Sequence, residues 1–289
     1  MTGSEWTLVF FTLITQMCVG GFILQDIMIH YRHHDDPNIL KVKKGILRTL
    51  LPLIIIAVIL SFFHLGKPVH AIYSLNNLQS SWLSREIMLV SVFAILLISY
   101  ALIFWRYPES RSLLKIIAIL EMITGLFLIY SMSRIYTLST IPVWNSMATP
   151  VEFFTASFLL GGLLLMLVFQ RRLFKLEIRE LANFSRRISV LYLLLIIFLM
   201  IDLGNTIYYH YIDYEISRMT AEDTSYIINL TKSILHIASI LILIPQFYQF
   251  NIKKHFSGVL GFRIIFFLLI LAELIGRYGF YASYVSPGF

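Results

Sequence analysis

Eight apolar runs, each near or above the length of a bilayer span, recur along the chain and leave no stretch long enough to fold as a separate water-soluble unit. They lie near residues 6–29, 46–65, 86–105, 114–135, 151–170, 188–209, 226–249 and 259–280. Roughly 20 apolar residues cross a bilayer as a helix. The regular apolar-polar alternation of a membrane barrel is missing, so each run is expected to be helical. Hydrophobic residues make up 58% of the 289 and charged residues only 13%, too little polar surface to cover a soluble globule. The expected fold is an all-α integral membrane protein, a bundle of eight transmembrane helices in a single polytopic domain over residues 1–289. The first run follows Glu5 rather than basic residues and exceeds a signal-peptide core, so it is expected to be retained as a helix.

A net charge of +7 could suit a nucleic-acid partner, but the bases fall where a membrane would sort them. Arg32, Lys41, Lys43, Lys44 and Arg48 flank the first connection, and Arg106, Arg111 and Lys115 the third. Arg171, Arg172, Lys175, Arg179, Arg186 and Arg187 flank the fifth, and Lys253, Lys254 and Arg263 the seventh. These are 17 of the 23 lysines and arginines. Lys67, Arg85, Arg134, Arg218, Lys232 and Arg277 are spread over the opposite side. Basic residues concentrate on the cytoplasmic side of a membrane protein, which puts both termini and the second connection outside. The single cysteine, Cys18, excludes an intrachain disulfide and a cysteine-ligated iron–sulfur cluster held by this chain alone. It reads as a small buried apolar residue.

Ionisable residues inside membrane spans are costly and therefore informative, and most here fall in the expected outer half. His64-Leu65-Gly66-Lys67-Pro68 closes the second run, and Ser81-Trp82-Leu83-Ser84-Arg85-Glu86 opens the third. Arg134 and Glu152 also lie at helix mouths, with Asp202 and Glu273 roughly one to two turns deeper. Asp202, Asn205 and Tyr209 share a helix face by spacing, and Glu273 precedes Arg277 by four and can pair with it. Such a set suits oxidation of a quinol, a carrier of two protons and two electrons. Neutral His64 would accept a hydroxyl proton, and Glu86 would pass it to water. Gly66 and Pro68 give a tight turn beside the ring. Lys67 and Arg85 would meet negative charge on the ring or lipid phosphates. The bland reading of Glu86 is an acid placed favourably in a first helical turn capped by Ser84.

His236 lies near the middle of the seventh run, at a depth that does not match His64, so a haem held between the two is disfavoured. A hydrogen bond near Ser233 or Ser239 is the expectation for it. Glu121 is expected to bond to a neighbouring helix. His30 to Asp36 holds metal-ligand types crowded on a basic inner loop and reads as solvated. Aromatic clusters at 208–211 and 278–284 read as interfacial anchors. A haem-containing b-type cytochrome subunit and a proton-coupled secondary transporter are the competing functions. The second would favour paired helix breaks, for which Gly20-Gly21, Gly161-Gly162 and Pro245 are weak candidates.

The His64 to Pro68 segment, followed by Ala71, Ser74-Leu75-Asn76 and Ser84-Arg85-Glu86, resembles the membrane-anchor subunit of bacterial dimethyl sulfoxide reductase. Arg134-Ile135-Tyr136, Ile141-Pro142-Val143-Trp144, Thr149-Pro150 and Phe153-Phe154 resemble the same family's fourth and fifth helices. The resemblance is clearest over about residues 5–165. It implies an anchor in the bacterial inner membrane, without haem or an iron–sulfur cluster of its own, that binds and oxidises menaquinol near the periplasmic face. Electrons would pass to a four-cluster iron–sulfur subunit and on to a molybdopterin catalytic subunit outside the membrane. In that family the residues matching His64 and Glu86 are tied to quinol oxidation. Gly66, Lys67, Pro68, Arg134, Tyr136 and Asp202 complete the expected quinol-binding set, and no metal site is expected.

Overall fold

The computed structural model describes residues 3–29, 37–64, 75–137, 144–173, 178–220, 224–253 and 259–282. They form eight α-helices, α1 (Gly3–Ile29), α2 (Pro37–His64), α3 (Trp82–Arg106), α4 (Arg111–Tyr136), α5 (Ala148–Leu173), α6 (Ile178–Thr220), α7 (Thr224–Lys253) and α8 (Val259–Ala282), with one 3-10 turn at Leu75–Asn77. Each expected apolar run lies within one helix except for a residue at its end, and the helices extend beyond the runs. The largest extension is in α6, whose 43 residues make it about 64 Å long. Seven of the eight are long and apolar enough to cross a membrane. The other, α8, has 24 residues and includes Arg263, Glu273 and Arg277.

The helices pack as two similar sets of four. In the first, α1 touches α2 and α4, and α3 touches α2 and α4; in the second, α5 touches α6 and α8, and α7 touches α6 and α8. The sets meet chiefly along α1 and α5, which are accordingly the most enclosed spans. Their outer helices present apolar side chains outward, among them Ile55, Leu102, Phe127, Leu241 and Phe267, as a lipid-facing surface requires.

Paired glycines set the approach of α1 to α5. A Cβ on Gly20 would strike the Ser157 carbonyl, and one on Gly161 would strike the backbone of Gly20 and Gly21. Ser157 Oγ donates to the Gln16 carbonyl at 2.7 Å across the same seam. Small residues that admit backbone-to-backbone contact are the usual device for packing helices in lipid. These glycines join two intact helices rather than breaking them, and α7 runs continuously through Pro245.

Polar side chains on α1 gather toward its two ends. Thr12, Thr15 and Gln16 lie on one side of the span and Gln25 and Asp26 on the other, all buried. Between them Met17 to Leu24 contribute no carboxylate, amine or hydroxyl.

Candidate functional site

The start of α3 decides how Glu86 is to be read. Ser81, not Ser84, is the N-cap, and its hydroxyl accepts from the Ser84 amide at 3.2 Å. That moves Glu86 past the first turn, beyond the strongest pull of the helix dipole, and it is buried rather than close to water. The first-turn reading of Glu86 is therefore corrected. Tyr136, at the end of α4 that Ser131 ties to the start of α3, meets Tyr281 hydroxyl to hydroxyl at 3.1 Å.

Trp82 organises the bases at this mouth. The Arg85 guanidinium stacks 4.1 Å from the Trp82 ring centroid and Arg134 lies 5.7 Å from it. Arg85 also donates from Nε to the Leu78 carbonyl at 2.7 Å and from Nη2 to the Gln79 carbonyl at 2.6 Å. Arg85 is thus committed to holding the turn before α3, which leaves Arg134 as the half-buried base over the same ring. Ser131 Oγ donates to the Trp82 carbonyl at 3.0 Å and ties α4 to the start of α3. Tyr136 is buried in an aromatic box with Trp144, Phe153, Phe280 and Tyr281, its ring centroid 5.4 to 5.7 Å from each. His64 is the last residue of α2, whereas Gly66, Lys67 and Pro68 lie outside the described residues, as does the His30 to Asp36 segment.

Asp202 does not join this mouth. It sits in the second set of helices, in a buried cluster with Glu152 of α5, Lys232 and His236 of α7 and Glu273 of α8. Lys232 Nζ lies 3.2 Å from Glu152 Oε1 and 3.7 Å from both Asp202 Oδ1 and Glu273 Oε1. His236 Nε2 lies 3.1 Å from Asp202 Oδ2 and 3.8 Å from Glu273 Oε1. Thr155 Oγ1 donates to Asp202 Oδ1 at 3.1 Å. Gly276 leaves room for the lysine, since a Cβ there would come within 2.8 Å of Lys232 Cδ.

Several expectations change here. His236 faces carboxylates instead of Ser233 and Ser239, whose hydroxyls return to carbonyls of their own helix. Glu273 turns to Lys232, and Arg277 instead donates from Nη2 to Gln16 Oε1 at 3.3 Å and stacks 3.7 Å from the Phe153 ring centroid. The Asp202, Asn205 and Tyr209 face does form as spaced: Asn205 donates to the Ala148 carbonyl at 3.1 Å and Tyr209 bonds Thr149 at 2.9 Å. Tyr208, Tyr211 and Tyr278 are exposed as interfacial anchors would be, but Tyr209 and Phe280 are turned inside.

Lys232 is the residue of this cluster that reading by loops misses, because it counts there among the bases outside the membrane. The available signal is its place inside the seventh run, four residues before His236. The first set encloses a buried lysine of its own at the opposite end. Lys43 Nζ lies 5.0 Å from the ring centroids of Tyr100 and Phe104, in a region shared with Asp26 and Glu121. Glu121 is buried with neither oxygen hydrogen-bonded among the described residues, contrary to the expected bond to a neighbouring helix. Cys18 is buried, with its thiol 3.8 Å from the Leu50 carbonyl.

Asp202, His236 and Glu273 bring possible ligand atoms within 4.8 Å of one another. The Lys232 ammonium already stands beside both carboxylates, so a divalent ion there would face a fixed positive charge. The chain supplies its own cation, and the chemistry this arrangement fits is proton exchange.

A family model, DMSO reductase anchor subunit (DmsC), matches residues 1–283. The chain is similar to the C chain of the anaerobic dimethyl sulfoxide reductase of Escherichia coli strain K12, at 28% identity over 293 aligned residues, covering 98% of this chain and 96% of the relative. It is similar to the corresponding C chain of Haemophilus influenzae at 29% over 287 residues, with the same coverage. A third relative, the YnfH chain of an anaerobic dimethyl sulfoxide reductase of Escherichia coli, is 30% identical over 160 residues, 55% of this chain and 56% of the relative.

Proposed function

Because the chain belongs to the DMSO reductase anchor subunit family (DmsC), we propose that it binds menaquinol at the mouth formed by α2, α3 and α4, oxidises it there, and passes the electrons to a four-cluster iron–sulfur partner. That partner would feed a molybdopterin catalytic subunit. The proposed setting is the bacterial inner membrane, crossed by all eight helices, with both termini and the quinol mouth on the periplasmic side.

The observation that carries this reading is Glu86, a carboxylate buried past the first turn of α3, where Ser131 ties the end of α4 that carries Arg134 and Tyr136 to the start of α3. A buried acid at the mouth can accept a hydroxyl proton and orient a polar ring substituent. His64, at the end of α2, would be the first acceptor and Glu86 the next. With a single cysteine the chain has no ligand set for a cluster, so electrons would leave directly to the partner. Two protons released on the side from which the electrons depart would make the step electroneutral across the membrane.

The test is a fluorescence-quench titration of membranes with an inhibitor that mimics the half-oxidised quinol, comparing wild type with His64→Ala at matched expression. Stoichiometric binding in the wild type, lost in the variant, is expected. No binding in the wild type would remove the quinol reading and favour a purely anchoring role.

A further inference from the structure

The cluster around Lys232 draws its charges from four helices, and each is almost wholly shut off from the surface. With Arg277, one turn along α8 from Glu273, it comprises three carboxylates, an ammonium, a guanidinium and one imidazole. When all three carboxylates are ionised and His236 is neutral, the group is one proton short of neutrality. Buried net charge in a membrane protein is costly, so this group is built to accept a proton. His236, with Asp202 on one side and Glu273 on the other, is where it would be shared. The charged and titratable groups facing these three are Glu152 from α5, Tyr209 from α6, Lys232 from α7 and Arg277 from α8; α1 contributes the neutral Gln16.

A polar track runs from this cluster toward Glu86. Glu273, Arg277 and Tyr281 recur every fourth residue along α8 and so lie one above another. Tyr281 bonds Tyr136, which ends α4 where Ser131 ties that helix to the start of α3, the helix that carries the buried Glu86. Along the track Gln16 Nε2, Arg277 Nε and Nη1 and both Glu273 oxygens are buried without a hydrogen bond among the described residues. Buried polar atoms of this kind are ordinarily satisfied by ordered water, and a water-bridged line of such groups carries protons.

We propose that Asp202, His236 and Glu273 form a proton-holding site that takes up one of the two protons lost by the quinol, delivered from Glu86 through the Tyr136 and Tyr281 hydroxyls and past Arg277. This rests on the quinol-oxidising reading. A quinol becoming a quinone gives up two electrons and two protons. The electrons go to the iron–sulfur partner, one proton leaves through Glu86 to water, and the other is held in the cluster until it returns by the same track.

The experiment uses the assembled complex, with a soluble quinol analogue as donor and a reduced dye as a donor that bypasses this chain. His236→Gln keeps hydrogen-bonding capacity and cannot take the proton. Quinol-driven kcat is expected to fall by at least about tenfold with KM held within about twofold, the solvent deuterium isotope effect on kcat to rise, and dye-driven turnover to stay at the wild-type level. Wild-type kcat and isotope effect in an assembled His236→Gln complex overturn the proposal, as does a loss carried by KM alone. Should that variant not assemble, Tyr281→Phe carries the test, because it removes one hydroxyl of the track without changing charge: a raised isotope effect supports the relay and an unchanged one overturns it. A wild-type complex active with dye but inert with quinol would overturn the underlying quinol reading instead, so the two failures are distinguishable.

Discussion

Lys232 and Glu152 meet inside the second set of helices with Nζ and Oε1 3.2 Å apart and both side chains only 4% exposed. The same ammonium is shared with Asp202 and Glu273, so one cation joins α5, α6, α7 and α8. Lys232→Met would leave these carboxylates without their common partner. Breaking a buried pair from one side costs about 3 to 5 kcal/mol, and the variant complex should unfold at clearly lower temperature in a detergent melt. Adding Glu152→Gln should recover part of the loss, whereas a wild-type melting point for Lys232→Met would show that the lysine is not the keystone of this cluster.

The α1 to α5 crossing should be equally sensitive. Gly161→Leu would drive a side chain into the backbone of Gly20 and Gly21, and rigid overpacking of this kind costs at least about 1 to 3 kcal/mol. Membrane accumulation of the chain, measured by quantitative immunoblot, should drop severalfold, while Gly204→Ala, where an added Cβ meets nothing within 4 Å, should accumulate normally.

Glu86→Gln keeps the shape of a buried side chain and loses its basicity. Quinol-driven kcat is expected to fall by roughly a hundredfold, with the affinity for a quinol-mimicking inhibitor little changed. Steady-state kinetics and the quench titration on one preparation would separate the two effects; lost affinity with preserved kcat would assign Glu86 to binding alone.

Trp82→Leu removes the aromatic face under Arg85 and Arg134. Arg85 keeps its bonds to the Leu78 and Gln79 carbonyls, so the consequence should fall on Arg134. A cation-π contact is worth about 0.5 to 2 kcal/mol, and inhibitor Kd should rise about fivefold if Arg134 orients the ring. An unaltered Kd would release Arg134 from that role.

His236 bears directly on whether haem is present. It is engaged by two carboxylates beside a lysine, which take up its Nε2 edge. A reduced-minus-oxidised absorption spectrum of the purified complex should therefore lack a b-type haem band, and its appearance would favour the cytochrome alternative.

The positions of the helices were legible because an uninterrupted apolar run is a strong signal even in one sequence. The Asp202, Asn205 and Tyr209 face was legible for a similar reason: spacing of three and four places side chains on one side whatever they touch. What spacing does not encode is the neighbour. Glu273 and Arg277 have the separation of an intrahelical pair, yet Lys232 from α7 takes the acid and Gln16 from α1 takes the base. Lys43 and Lys232 looked like bases near span ends, and only the packing of the adjacent helices turns them inward. Ser84 and Ser81 offer the same capping chemistry, and the 3-10 turn at Leu75–Asn77 and the Asn77 carbonyl contacts that follow it settle the choice in favour of Ser81.

The apolar stretch of α1 has an electrical consequence. Gln16 and Gln25 are nine positions apart, about 13 Å along the axis, with Met17 to Leu24 between them. Along α1 this length acts as a dielectric slab between the Lys232 cluster and the Lys43 region. A proton held near Lys232 finds no carboxylate, amine or hydroxyl along this stretch of α1 and should exchange with the aqueous phase at its own end of the bundle.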